Sequence, residues 1–98
     1  MAHIHLQQKA QRDLIGLWQY SCDNWGDHQA DVYLDALDQV FRLLADNPDL
    51  GVPCDEVRKG LRKQIHEKHL ILYRTTGDTI QIIRVLAASM DYEAHLLK

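Results

Sequence analysis

Cysteine is scarce in this chain of 98 residues: there are two, Cys22 and Cys54, far apart and outside any Cys-x-x-Cys spacing. That excludes a disulfide framework and a cysteine-built zinc site, and leaves two reduced thiols as the reading. Long apolar runs are missing too; the longest hold only a few residues, far short of the about 20 a membrane-spanning helix needs. Met1–Leu6 has no apolar core followed by a small-residue cleavage site, so the expectation is a cytoplasmic protein without a secretory signal. Proline occurs twice, at Pro48 and Pro53, and both fall in one stretch. Repeats and low-complexity segments are absent, as are a Gly-rich phosphate loop, HExxH and GxSxG. The length and the 46% share of apolar residues suit one globular domain, spanning 1–98.

What is present is an uneven charge distribution. The formal net charge is −3, but residues 1–56 hold three bases against ten acids, a net of −7, while residues 57–98 hold eight bases against four acids, a net of +4. An acidic half is joined to a basic half. Basic surface suits phosphate or an acidic peptide, and the negative total opposes indiscriminate nucleic-acid binding.

Periodicity divides the chain. Ile4 and Leu6 alternate with polar residues, as in a half-buried strand. From Ala10 the step lengthens: Ala10, Leu14, Leu17, Trp18 and Trp25 mark an amphipathic helix ending at Gly26. Asp27 is then placed to cap a second helix, with Ala30, Tyr33, Leu34, Leu37, Val40, Phe41 and Leu44 on one stripe and Asp31, Asp35, Asp38 and Arg42 opposite. Asn47-Pro48 stops it, and Asp46–Asp55 reads as a loop. Leu61–His66, His69–Thr75 and Thr79–Leu86 are strand-like runs, with Gly77-Asp78 as a tight turn. The expectation is an α+β fold: an antiparallel two-helix hairpin on one face of a small four-stranded antiparallel sheet that includes the N-terminal strand, followed by a short C-terminal helix within Met90–Leu97. Trp18, Trp25, Tyr33 and Phe41 lie on helical stripes and are expected in the core.

Chemistry-bearing groups are few. His3 and His5 share a strand face, but two ligands are too few for a metal, and no cofactor is expected. His66 and His69 bracket a turn. The cations of the expected sheet stand out: Arg62 and Lys63 on one strand, Arg74 on the next, Arg84 on the last. Sheet interiors are apolar, so these ask for partners. One reading pairs an arginine with a loop acid such as Asp55 or Glu56 and leaves the others solvated. With a two-residue Gly77-Asp78 turn, Arg74 falls opposite Gln81 and Arg84 opposite Ile71, on opposite faces; a three-residue turn would put them on one face.

An ordered series of short matches runs through nearly the whole chain: Asp13-Leu14, Trp25-Gly26, Gln29-Ala30, Tyr33, Leu37, Phe41, Leu44-Ala45, Pro48 and Gly51, then Asp55-Glu56, Arg58, Gly60-Leu61-Arg62, His69, Tyr73-Arg74, Ile83-Arg84-Val85-Leu86 and Met90-Asp91. In this series the chain resembles the ParE toxins of the RelE/ParE superfamily, from bacterial type II toxin–antitoxin modules. The resemblance implies a helical hairpin on an antiparallel sheet, poisoning of DNA gyrase, and neutralisation by a cognate ParD-like antitoxin in a hetero-oligomer, with no membrane and no sequence-specific nucleic acid as partner. It implies a binding toxin rather than an enzyme, with Arg58, Arg62, Arg74, Arg84, Met90, Tyr92 and Leu96 as partner-binding residues. The alternatives are a RelE-like ribosome-dependent mRNA endoribonuclease, in which Arg62, Lys63, Arg74 and Arg84 would stabilise charge and Tyr92 would act as general acid, and a nontoxic antitoxin-binding partner. Many relatives read Arg-Val-Leu-His where this chain has Arg84-Val85-Leu86-Ala87, which removes one acid/base group.

Overall fold

The computed structural model describes residues 3–89 and 91–96. Its elements are β1 (His3–Leu6), α1 (Gln8–Trp25), α2 (Asp27–Asp46), β2 (Val52–Pro53), β3 (Arg62–His66), β4 (His69–Thr76), β5 (Thr79–Ala87) and α3 (Tyr92–Leu96). They form one five-stranded sheet in the order β1-β5-β4-β3-β2, with the α1–α2 hairpin against one face. Two features correct the expected sheet. Val52–Pro53 adds a fifth, two-residue strand at the edge of β3. β1 runs parallel to β5, with Ile4 opposite Ile80, so the sheet is mixed. Antiparallel order is imposed only where a short turn joins strands; β1 and β5 are separated by the whole hairpin and meander, and no turn dictates their sense.

A single residue, Gly26, links the helices. Its φ of 89° and ψ of 165° suit glycine, and its amide closes α1 by donating to the Cys22 carbonyl. Asp27 therefore begins α2 rather than capping it, and α2 has no side-chain cap. At the two ends of β4, His66 pairs with His69 and Thr76 with Thr79 across two-residue turns. These turns need positive φ, which Gly77 takes freely; Glu67 takes it at φ 53°, at a cost of about 1–2 kcal/mol.

The sheet is buried on both faces. On the hairpin side Ala10, Leu37, Phe41, Leu44 and Ala45 pack on Ile71, Tyr73, Ile80, Ile82 and Val85. On the other side Cys54, Leu61, Leu70, Leu72, Ile83 and Leu86 form a second cluster, covered by Val57, Tyr92 and Leu96. Two-sided burial explains why Leu70-Ile71-Leu72-Tyr73 is an unbroken apolar run. The expected aromatic core is only partly present. Phe41 is buried, Tyr33 is half-buried, but Trp18 is 39% and Trp25 58% exposed. The core-facing line of α1 runs through Ala10, Leu14, Leu17 and Ser21, and Trp18, one residue past Leu17, is turned about 100° away from it.

Candidate functional site

The register places the cations individually. Arg62 pairs with Tyr73 and so points to the hairpin side, whereas Lys63 pairs with Leu72 and points to the opposite side. Arg74, next to Tyr73 on β4, also points away from the hairpin and pairs with Gln81, as a two-residue turn requires. Arg84 is opposite Leu72 instead of Ile71, because the ladder shifts between Leu72 and Tyr73 and leaves Ile83 as the extra residue of a β-bulge. A bulge leaves no mark in the residue pattern, and it moves every pairing beyond it.

Arg84 makes a bidentate ion pair with Asp13. Its Nε and Nη2 donate to the two Asp13 carboxylate oxygens of α1 at 2.8 and 2.9 Å, and the Val85 amide donates to Oδ2 at 3.0 Å. Both side chains are about 15% exposed (15% and 14%). The Asp13 hydrogen bonds hold the guanidinium pKa up, against the pull of burial. The buried arginine pair is thus with a helix acid, not with Asp55 or Glu56; Asp55 instead accepts the Gly60 amide at 2.8 Å.

Arg62 is committed to the loop after α2. Its Nη1 donates to the Gly51 carbonyl at 2.6 Å and to the Asp49 carbonyl at 3.2 Å, with the Asp49 carboxylate 3.4 Å from Nη2. The same loop folds round the Tyr73 hydroxyl, which donates to the Pro48 carbonyl and accepts the Gly51 amide, each at 2.8 Å. A Cβ at Gly51 would lie 2.5 Å from that hydroxyl, so glycine is required there by contact.

On the far face Lys63 Nζ sits 5.3 Å from the centre of the Tyr92 ring, a cation–π contact. Arg58 Nη2 donates to the Leu96 carbonyl at 3.3 Å, tying α3 down from its other end. Arg58, Arg84 and Leu96 share a notch of about 250 Å³ with Gln7, Gln8 and Lys9. Arg74 has its Nε buried with no hydrogen-bond partner among the described residues. Burial holds the Tyr92 phenol above its ordinary pKa, with Lys63 pulling it back. Met90 lies outside the described residues. The structure therefore brings Lys63 to Tyr92 and Arg58 to Arg84 and Leu96, while Arg62 is held apart on the hairpin side.

A larger cavity, which the sequence pattern did not single out, lies between the hairpin tip and the β3–β4 turn. It measures about 520 Å³ and is lined by Leu17, Tyr20, Trp25, Gln29, Tyr33, Glu67, Lys68 and His69. Tyr33 Oη lies 2.6 Å from His69 Nδ1. Burial pushes the His69 pKa down, with His66 adding to it, and pushes the Tyr33 phenol up, with Glu67 adding to it. Both shifts favour the neutral forms, and the tautomer of His69 decides which of the two groups donates. The walls come from three distant segments; the available signal was Tyr20 and Trp25, aromatics off the core line of α1. Among the described residues no three His, Cys, Asp or Glu are placed to hold a metal, and no helix is long and apolar enough to cross a membrane.

Comparison with known proteins agrees with this architecture. The family model for the ParE toxin of the type II toxin–antitoxin system parDE matches residues 4–92. Toxin ParE1 of Mycobacterium tuberculosis is 40% identical over 92 residues, covering 93% of this chain and 94% of that protein. Toxin ParE1 of Caulobacter vibrioides is 36% identical over 96 residues, covering 98% and 99%. A solved chain of the chromosomal ParDE toxin–antitoxin system from P. aeruginosa shares the fold at 20% identity, with a TM-score of 0.78 over 91% of this chain and 98% of that one. On the strength of the family match and the two relatives, this chain belongs to the ParE toxin family of type II toxin–antitoxin systems.

Proposed function

We propose that the protein is a toxin that acts by binding, poisons DNA gyrase in the cytoplasm without turning over a substrate, and is neutralised by a cognate ParD-like antitoxin. The observation that carries the binding reading is the dispersal of the cations. A ribonuclease site needs several bases converging on one phosphate with a proton donor beside them. Here Arg62 is tied to the Asp49–Gly51 loop, Arg84 to Asp13, and Lys63 to the Tyr92 ring on the opposite face. Adding the purified protein to gyrase should slow supercoiling and accumulate cleaved DNA. Normal supercoiling together with ribosome-dependent cuts in mRNA would assign the protein to the RelE-like nucleases instead.

The antitoxin segment is proposed to be amphipathic and partly acidic, laid across the hairpin and the sheet. Residues 57–98, net +4, supply its charge complement, which speeds association and sets register more than it adds affinity. The residues proposed to meet it are Arg58, Arg62, Arg74 and Arg84 for charge, with Met90, Tyr92 and Leu96 as apolar contacts. Charge reversal at Arg58 and Arg74 should weaken antitoxin binding more at low salt than at high salt; equal loss at both would point to damaged folding.

A further inference from the structure

The solvent side of the hairpin carries an apolar ridge that none of the described residues covers. Ile15, Trp18 and Cys22 recur at helical spacing along α1, with Ile15 60% and Trp18 39% exposed. The neighbouring stripe of α2 is acidic. The Trp18 indole N–H donates to Asp31 at 3.0 Å, which fixes how the helices lie side by side. Because they run antiparallel, Cys22 then falls beside Asp27 and Ile15 beside Asp35. The Cys22 thiol supports this: burial raises its pKa, and Asp27, Asp31 and Asp23 all raise it further.

We propose that this crease, Ile15, Trp18 and Cys22 beside Asp27, Asp31 and Asp35, binds an amphipathic helical segment of a partner protein that carries lysines or arginines along one flank. Charge selects the occupant. None of Asp23, Asp27, Asp31 and Asp35 has an ion-pair partner among the described residues, whereas Asp38 is paired with Arg42 at 3.0 Å. Carboxylates four apart repel one another and weaken the helix that bears them; a cationic flank removes that repulsion. An apolar ridge beside a charged stripe is the arrangement that receives a helix through anchors at three- and four-residue steps. The acidic part of the antitoxin segment proposed above would be repelled from this crease, so that segment crosses the hairpin elsewhere and this surface serves a different partner chemistry, independent of the antitoxin or gyrase reading.

The test uses two probes, an 18-residue amphipathic helix of leucine and lysine and its leucine–glutamate counterpart, with Trp25→Phe as background so that Trp18 alone reports. The lysine peptide should bind, shift the Trp18 emission to the blue, and weaken about tenfold between 50 and 200 mM salt. The glutamate peptide should not bind. Asp27→Asn/Asp35→Asn and, separately, Ile15→Ser should each weaken the lysine peptide about fivefold. These sites are exposed and lie on different helices, and unchanged circular dichroism checks the fold of each variant. Equal binding of both peptides, indifference of the lysine peptide to both variants, or self-association of the free protein through this face would overturn the proposal.

Discussion

On one face of the sheet the 18 residues of α1 and the 20 of α2 lie over Ile71, Tyr73, Ile80, Ile82 and Val85. On the other, a turn and the five residues of α3 lie over Leu61, Leu70, Leu72, Ile83 and Leu86. Both faces bury apolar side chains, but with covers of unequal strength. The hairpin is nailed down by the Asp13–Arg84 pair and by a glycine joint with no slack. A helix as short as α3 is unstable alone, and it is held by a cation–π contact at one end and the Arg58–Leu96 hydrogen bond at the other. Burial alone does not tell how firmly a surface is closed; the length and anchoring of the cover decide that, and local opening should begin at α3.

The largest effect that would break this contrast lies on the hairpin side. Asp13→Ala leaves the Arg84 guanidinium buried without its carboxylate and should lower unfolding free energy by about 3–4 kcal/mol, read from the urea midpoint. A loss under about 1 kcal/mol would mean that the pair behaves as an exposed one and anchors nothing. Leu37→Ala, in the middle of α2, should cost about 3 kcal/mol through the cavity it leaves.

Deleting Tyr92–Lys98 should cost less, about 2 kcal/mol from two half-buried side chains, and should leave a folded protein whose hydrogen exchange quickens in β3, β4 and β5 and not in the hairpin. If that protein still binds antitoxin but no longer arrests growth, the segment belongs to the toxic surface. Unfolding would show that the second face is as essential as the first. Lys63→Met removes only the cation–π contact and should cost about 0.5–1 kcal/mol.

The smallest effect is one of pH at the hairpin tip. His69 titrates below its ordinary 6.5 in the folded protein because burial disfavours the imidazolium. The unfolded chain therefore takes up the proton first, so this contribution to stability is complete above about 6.5 and is lost as pH falls from there through the lowered folded value. An imidazole titration followed by NMR should place His69 below the free imidazole value of about 6.5; a midpoint at or above it would remove burial as the cause.

Legibility in the sequence followed the range of the interaction that decides each feature. The helices, the two turns and the three-strand meander are set by local periodicity and turn residues, and these were readable. Local repulsion or preference cannot report a parallel β1–β5 pairing, which depends on contacts from His3 to Thr79. The bulge at Ile83 carries no residue signal, so the Arg84 position was displaced by one. Leu70–Tyr73 did hold a sign of two-sided burial, since alternation fails there, yet a hairpin on a single face was the simpler reading. The aromatic cavity escaped because Tyr33, Trp25 and His69 meet only after folding, and the tryptophans look like core until the angle of Trp18 from Leu17 is considered. The role of Gly51 also becomes visible only with Tyr73 in place.

The pairing of β1 with β5 sets an order of events. The first strand to be synthesised has its ladder partner in the last, and Asp13 meets its arginine only when residue 84 has been added. A chain growing on the ribosome at about 5–20 residues per second can form the α1–α2 hairpin early, but its apolar stripe then has no sheet to pack on. The sheet edge, the buried ion pair and the α3 cover form only after β5 has been made. The native fold is thus gated by the synthesis of β5, and a chain that stops before Arg84 holds the hairpin without the ion pair that ties it to the sheet.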